Sequence, residues 1–581
     1  MAKPGHSRNL AGHSEFRIFA PEKSAVTLLI LGDDMSTPRE SIPLTPDAIG
    51  YWTAELPALA DGTRYLIEID GRRFPDIASR SQPDGVHAAS AIAAPERVVS
   101  PGWRGVRMED AVIYELHLGT FTPEGTLASA QGMLAYLADL GITVVELLPI
   151  AAFAGHRNWG YDGTYPFALQ TDYGDYADLR NFIEAAHTLG IAVLLDVVYN
   201  HFGPEGNYTA AYGPYTRSAA TPWGAAVNLD RAYNHGVREF FLESARYWIQ
   251  DAGFDGLRMD AVSMIFDQMP VHLLRQFTDL ARAIGTAEGR EVTMIAEHLR
   301  NDRHVTSASG FHFHSQWNDD VNHALYAHLS GENWRHYENF GSFADVVKAL
   351  DKGFVLDGTR FDKHHRYLLG TDGADTKATE HVVHIQNHDQ VGNRPFGDRM
   401  ITACGRDKSL LAITAVLATS FVPMIFMGEE YGETAPFFFF EDFGDPALVE
   451  AVREGRKADY DFGDNHVPDP HAVATFEASK LRWEHMRSPA GQAVLDYYKA
   501  LIALKRSGEL GPRDRTAVTV TGDEQTRVIR IQSPETLTVL NLSESPQAVL
   551  PAPVWPLFMA SGTIDGAGRL SAFGAAIYRA R

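Results

Sequence analysis

Up to about Ser100 the chain alternates short apolar runs with turn residues: Phe16-Arg-Ile-Phe19, Val26 to Leu31, Tyr51-Trp-Thr-Ala54, and Tyr65-Leu-Ile-Glu-Ile69 before Asp70-Gly71. Alternation with period two between turns predicts strands, and a row of them predicts a small β-sandwich over residues 1–100. From about Asp110 the rhythm changes to strand, loop, helix, strand. Leu134, Leu137 and Leu140 lead to Gly141 and the run Val144 to Leu148; Leu179, Phe182, Ile183 and Ala186 lead to Gly190 and Ala192 to Val198. Val237, Phe240, Phe241, Ala245 and Trp248 lead in the same way to Gly253 and Phe254 to Met259. Apolar spacing of three or four covers one helix face, and glycine supplies the left-handed residue that stops the helix. The runs that follow are apolar throughout, as strands covered on both faces must be.

Further strand candidates are Val112 to Leu118, Thr293 to Ala296, Gly310 to Phe313, Val382 to Gln386 and Val422 to Met427. The count reaches eight, so the expected fold class is multidomain α/β with a central (β/α)8 TIM barrel over 101–508, carrying long inserted loops. Val518-Thr-Val520, Val528 to Ile531 and Thr536 to Leu540 alternate again and predict a C-terminal β-sheet domain over 509–581.

Composition changes this picture little. Hydrophobic residues are 45% and charged residues 22%, an ordinary globular balance. The net charge of −23 would repel nucleic-acid phosphates and anionic lipid, so neither nucleic acid nor membrane is an expected partner. Leu410 to Met427 has the length of a membrane span, but Thr414, Thr419, Ser420 and Pro423 divide it into a buried helix and a buried strand. Cys404 is the sole cysteine and Met1 to Ser14 is polar, which points to a reducing, cytoplasmic location. Oligomeric state is not legible.

In such barrels reactive groups gather at the C-terminal strand ends. Those ends carry Asp196, Asn200 and His201 after the third strand, Arg258 and Asp260 on the fourth, Glu297 and His298 on the fifth, and Asn387, His388 and Asp389 on the seventh. Arg258 and Asp260, two apart, leave the same face of their strand and point into the mouth. The guanidinium should keep Asp260 ionised, as a nucleophile requires. Glu297 follows Met294-Ile-Ala296 with no basic neighbour in its strand, so burial and nearby carboxylates should keep it protonated. One charged and one protonated carboxyl is the pairing that glycosidic bond cleavage needs. No phosphate-binding glycine loop, no G-x-S-x-G and no H-E-x-x-H is present. Asp196 alone could equally brace loop N–H groups, and His201 and His388 could each be satisfied rim histidines. A metal held by the Asp and His side chains stays an open reading. Trp159-Gly-Tyr161-Asp162, after the second strand, offers rings to a sugar face or fills a gap. Phe437 to Phe440, after the eighth, cannot all point one way.

Asp196-Val-Val-Tyr-Asn-His201, Gly256-Leu-Arg-Met-Asp260, Ile295-Ala-Glu297 and Gln386-Asn-His-Asp389 resemble, in order and at strand ends, the four sequence regions of the α-amylase superfamily. The resemblance implies Asp260 as nucleophile, Glu297 as general acid and base, and Asp389 as stabiliser of the transition state. It implies Tyr161, His201, Arg258 and His388, with Trp159, Asp162 and Asp196 beside them, as substrate-binding residues, with no metal and no cofactor. The first domain would be immunoglobulin-like and carbohydrate-binding-module-like. The segments Pro75 to Arg80, Gln82 to His87, Gln316 to Asp320, Met427 to Gly432, Val452-Arg-Glu-Gly-Arg456 and Thr475 to Lys480 are similar to the branch that acts on maltooligosyltrehalose, with a departure at Ile77. That branch would release trehalose and a maltooligosaccharide by retaining hydrolysis of the α-1,4 bond beside the terminal trehalose. The alternatives are a glycogen branching or debranching enzyme, which shares the three carboxylates, and a non-catalytic glucan-binding protein.

Overall fold

The computed structural model describes residues 3–580 except 33, 35–36, 94–96, 99, 460–466 and 549–554; Met1, Ala2 and Arg581, at the ends of the expected terminal domains, lie outside it. The N-terminal region folds as two antiparallel sheets. Ser14–Phe19 pairs Tyr51–Leu56 in one, and Val26–Leu31 pairs Arg64–Ile69 in the other. Alternate residues of each (Phe16, Ile18, Leu28, Ile30, Tyr65, Ile67) are buried between them, as period two dictates. The sandwich is anchored to the rest of the chain: Arg17 pairs with Glu239 at 2.8 Å, and the Tyr212 hydroxyl donates to Pro75 O at 2.6 Å.

Eight parallel strands close a barrel: β1 (Ile113–Leu116), β2 (Val144–Leu147), β3 (Ala192–Val197), β4 (Gly256–Met259), β5 (Thr293–Ala296), β6 (Ser315–Trp317), β7 (His381–Val383) and β8 (Val422–Phe426). Strand β8 pairs with β1 to complete the ring. The helices follow the predicted pattern. Helix α1 (Tyr176–Thr188) buries Leu179, Phe182, Ile183 and Ala186 and starts at a capping box on Asp175; α2 (Asn234–Arg246) buries Val237, Phe240, Phe241 and Ala245.

The sixth strand is not where the apolar pattern put it. Gly310 to Phe313 forms a turn in which Phe311 and Phe313 donate to His304 O and Val305 O, and His312 has φ 64°, a left-handed conformation closed to a strand residue. The strand is the polar Ser315–Trp317 two residues on, paired with Ile295 and Ala296 of β5.

The stretch of membrane length divides as predicted, into helix Arg406–Ala418 and strand β8. Ser409 to Ala418 is buried all round, because one side of the helix packs on the barrel and another on the C-terminal five-stranded antiparallel sheet. Among the described residues no helix is long and apolar enough to cross a membrane.

Candidate active site

The register between β3 and β4 sets Asp196 opposite Arg258. The guanidinium is completely buried and spreads over three carboxylates: Nη1 lies 2.6 Å from Asp196 Oδ2 and 3.3 Å from Asp260 Oδ1, and Nη2 lies 2.9 Å from Glu297 Oε2. Asn200 donates Nδ2 to Asp260 Oδ2 at 2.6 Å and to the Asp260 carbonyl at 2.9 Å. Ala261, directly after Asp260, has φ 37° and ψ 52°; this conformation turns its N–H onto Glu297 Oε2 at 2.8 Å. A left-handed alanine is strained, and the strain falls between the two carboxylates.

Burial lifts both acids above their ordinary values, against the pull of Arg258. Asp260 rises to about 6, with Asn200 also holding it down, and Glu297 rises to about 8, with Asp260 and Asp389 adding to the rise. Glu297 is therefore the more readily protonated of the two. Arg258 favours the charged form of Asp260, as its place two residues away implies, but burial outweighs that pull and leaves Asp260 above the usual carboxylate range. Glu297 has no basic neighbour on its own strand, but Arg258 reaches it from the adjacent one.

Asp389 lies on the short helix α3 (His388–Gly392), capped by Asn387, and its side chain is 40% exposed, the most open of the carboxylates. His388 is buried between Asp389, 3.5 Å from Nε2, and Glu115, 2.6 Å from Nδ1; burial works against its charge, but these two anions outweigh it and raise its pKa to about 9. The Tyr161 ring stacks on the His388 ring at 5.1 Å, and its hydroxyl donates to Asp196 Oδ2 at 2.6 Å. Asp196 thus braces two side chains of the rim rather than loop N–H groups. His201 hydrogen-bonds Asn200 Oδ1 and the Tyr161 carbonyl, and burial lowers its pKa. Asp162 accepts from Asn158 at 2.7 Å, and burial raises its pKa. Trp159 is buried: its indole donates to Phe438 O at 2.8 Å and stacks on Phe437, with its edge toward His388. Phe437 and Phe440 are likewise buried, so the four-phenylalanine run faces two ways.

Sequence reasoning missed three residues here. Glu115 and Glu146, paired in register on β1 and β2, point into the barrel beneath the cluster. Both oxygens of Glu146 are buried without a hydrogen-bond partner among the described residues, and burial holds its pKa well above the ordinary value. The signal was visible, since a carboxylate inside an otherwise apolar strand run has no solvent to face. Trp223, half exposed at a hairpin tip, stacks on His201 at 5.4 Å; nothing in its local sequence announces that contact.

A closed parallel barrel whose C-terminal rim joins buried carboxylates through one arginine, with aromatic rings alongside, defines an enzyme whose chemistry is carried by acids. The family model for the alpha amylase catalytic domain matches residues 73–223 and 227–493, and that for carbohydrate-binding module 48, the isoamylase N-terminal domain, matches 5–84. The malto-oligosyltrehalose trehalohydrolase of Saccharolobus solfataricus is 41% identical over 497 residues, covering 84% of this chain and 85% of that protein. The protein of that name from Rhizobium sp. (strain M-11) is 40% identical over 562 residues, 94% of each chain. The crystal structure of a putative alpha amylase from Salmonella typhimurium matches with a TM-score of 0.91 at 34% identity, with 100% of both chains covered. The chain belongs to the alpha-amylase family of glycoside hydrolases, and within it to the group of the malto-oligosyltrehalose trehalohydrolases.

Proposed function

We propose that the protein hydrolyses the α-1,4-glucosidic bond next to the terminal trehalose of maltooligosyltrehalose, releasing trehalose and a shortened maltooligosaccharide with net retention, in the cytoplasm. The observation that carries the chemistry is the single guanidinium shared by Asp260 and Glu297, two buried acids of unequal proton affinity. The substrate rests on the relatives, whose name extends over nearly the whole chain.

In this reading the protonated Glu297 gives its proton to the glycosidic oxygen while ionised Asp260 attacks the anomeric carbon. That step forms a glycosyl-enzyme ester and frees trehalose. Glu297, now ionised, takes a proton from water as the water displaces Asp260. Sugar hydroxyls of the attacked ring fall to Asp389, His201 and His388, and Tyr161 presents its ring to the sugar face. Asp196, Asp162 and Trp159 hold these groups in place. The charge that develops on the ring in the transition state meets Asp260 and Asp389 in a site from which water is largely excluded.

A product assay tests the reading. Incubation with maltooligosyltrehalose should release free trehalose faster than maltooligosaccharide or amylose is cut, and the maltooligosaccharide should first appear as its α anomer by NMR. New branch points would assign a branching enzyme instead. Equal cleavage of plain maltooligosaccharide would remove the trehalose specificity, and a β anomer would remove retention.

A further inference from the structure

Asp389 is the least enclosed acid of the rim, and among the described residues its carboxylate has one close side-chain donor, Asn393 Nδ2 at 3.0 Å; His388 Nε2 is 3.5 Å away. An amide is a two-ended group. Turned one way it offers Asp389 a donor, and turned the other way it offers a carbonyl oxygen that repels it. The choice is made from a distant part of the chain. Helix α4 (Pro446–Asp459), in the long excursion after β8, brings Arg456 Nη1 to 3.0 Å from Asn393 Oδ1. A guanidinium only donates, so it fixes the oxygen of Asn393 toward itself and the NH2 toward Asp389. Arg456 in turn lies over the Phe439 ring at 4.1 Å, and Phe439 and Trp159 meet edge to face at 5.1 Å.

We infer that Asn393 and Arg456 are positioning residues for the reaction, acting in series: Arg456 sets the Asn393 amide, and the amide sets the Asp389 carboxylate. This places the Val452-Arg-Glu-Gly-Arg456 segment in the active site's machinery without contact with the reacting atoms. It rests on the reading of Asp389 as the group that stabilises the transition state. If that carboxylate is displaced by about 1 Å, the cost falls on the chemical step rather than on ground-state binding.

The test is steady-state kinetics on the full chain with maltooligosyltrehalose. Asn393→Ala should lower kcat roughly 10- to 100-fold while KM changes little. Asn393→Asp, which has no donor to give, should be slower still. Arg456→Ala should lower kcat in the same direction, and Arg456→Lys, which restores a donor, should recover part of the loss. Because the two act in series, Asn393→Ala/Arg456→Ala should be no slower than Asn393→Ala alone. Asn393 is exposed, so these changes leave the core intact, and an unchanged melting temperature checks that. Losses that multiply in the double variant, or a rise in KM at constant kcat, would overturn the inference. Asp389→Asn separates the two levels: if it is inactive while Asn393→Ala runs at full rate, the relay fails alone. If Asp389→Asn is itself fully active, the role given to Asp389 fails and the relay with it.

Discussion

Arg258 on β4 and Arg399 in the segment after β7 are both shut off from solvent, and their partners differ in kind. Arg399 donates Nε to Ala435 O at 2.7 Å and Nη1 to Met427 O at 2.6 Å, and lies over the Phe426 ring. Arg258 donates to three carboxylates. Burial pulls the pKa of Arg399 down, whereas at Arg258 the pull of burial is outweighed by Asp196, Tyr161, Glu297 and Asp260. A buried cation set against carbonyl oxygens pins the course of two loops. Set against carboxylates, it divides its field among three buried acids and holds each below the value that burial alone would give. Identical burial fixes loop backbone in one place and balances the charge of a cluster of acids in the other.

The largest effects should come from the acids that Arg258 serves. Glu297→Gln and Asp260→Asn should each cost at least on the order of 10²- to 10⁴-fold in kcat, while calorimetry still registers sugar binding. A fully active variant of either would dissolve the distinction between the two arginines. Next in size is removal of the cations themselves. Arg258→Met leaves three buried carboxylates uncompensated, at a cost of about 3–5 kcal/mol. Their folded pKa values then rise further above the unfolded ones, so the folded state binds more protons, and stability should be regained as pH falls from 8 to 5. Arg399→Met strips charge-assisted hydrogen bonds from two carbonyls, at about 1.5–3 kcal/mol each; because Arg399 acts on Glu433 and Glu430 only through space, with no hydrogen bond to either, its rescue by acid should be weaker. Denaturation of both variants across pH distinguishes them; parallel pH curves would erase the contrast.

A smaller effect is the pH dependence of wild-type kcat/KM. Asp260, raised to about 6, must lose its proton, and Glu297, raised to about 8, must keep its own, so the profile should be a bell with limbs near those values. Glu297→Gln should abolish the alkaline limb of whatever activity remains. Smallest is Tyr161→Phe, which keeps the ring against His388 and removes one hydrogen bond to a buried carboxylate. Its expected cost is about 1.5–3 kcal/mol, read as a fall in kcat/KM.

The sequence itself was a good guide wherever a segment's own pattern set its environment. Period-two runs became the sheets of the two terminal β-regions, and helices that end in glycine gave way to apolar strands. The membrane-length stretch broke at Thr419, as its polar residues require. The guide failed at the sixth strand because two polar residues and a tryptophan were held in the barrel by their neighbours, while a more apolar pair, Phe311 and Phe313, formed a turn around His312. At the rim, residue types and order were enough to nominate Asp260, Glu297 and Asp389, and the pairing of Arg258 with Asp260 followed from their spacing. The reach of Arg258 across strands to Asp196 and Glu297 could not be read, since nothing in one strand specifies the register of the next. The same holds for Glu115 under His388, 273 positions away in sequence, and for Arg456 beside Asn393.

By itself, then, the sequence determined the barrel with its flanking β-regions and the roster of acids on the rim, because periodicity and strand-end position are local properties. The fold alone decided how the charges interact. Desolvation and the partition of one guanidinium among three carboxylates depend on distances between segments that meet only once the ring of strands has closed.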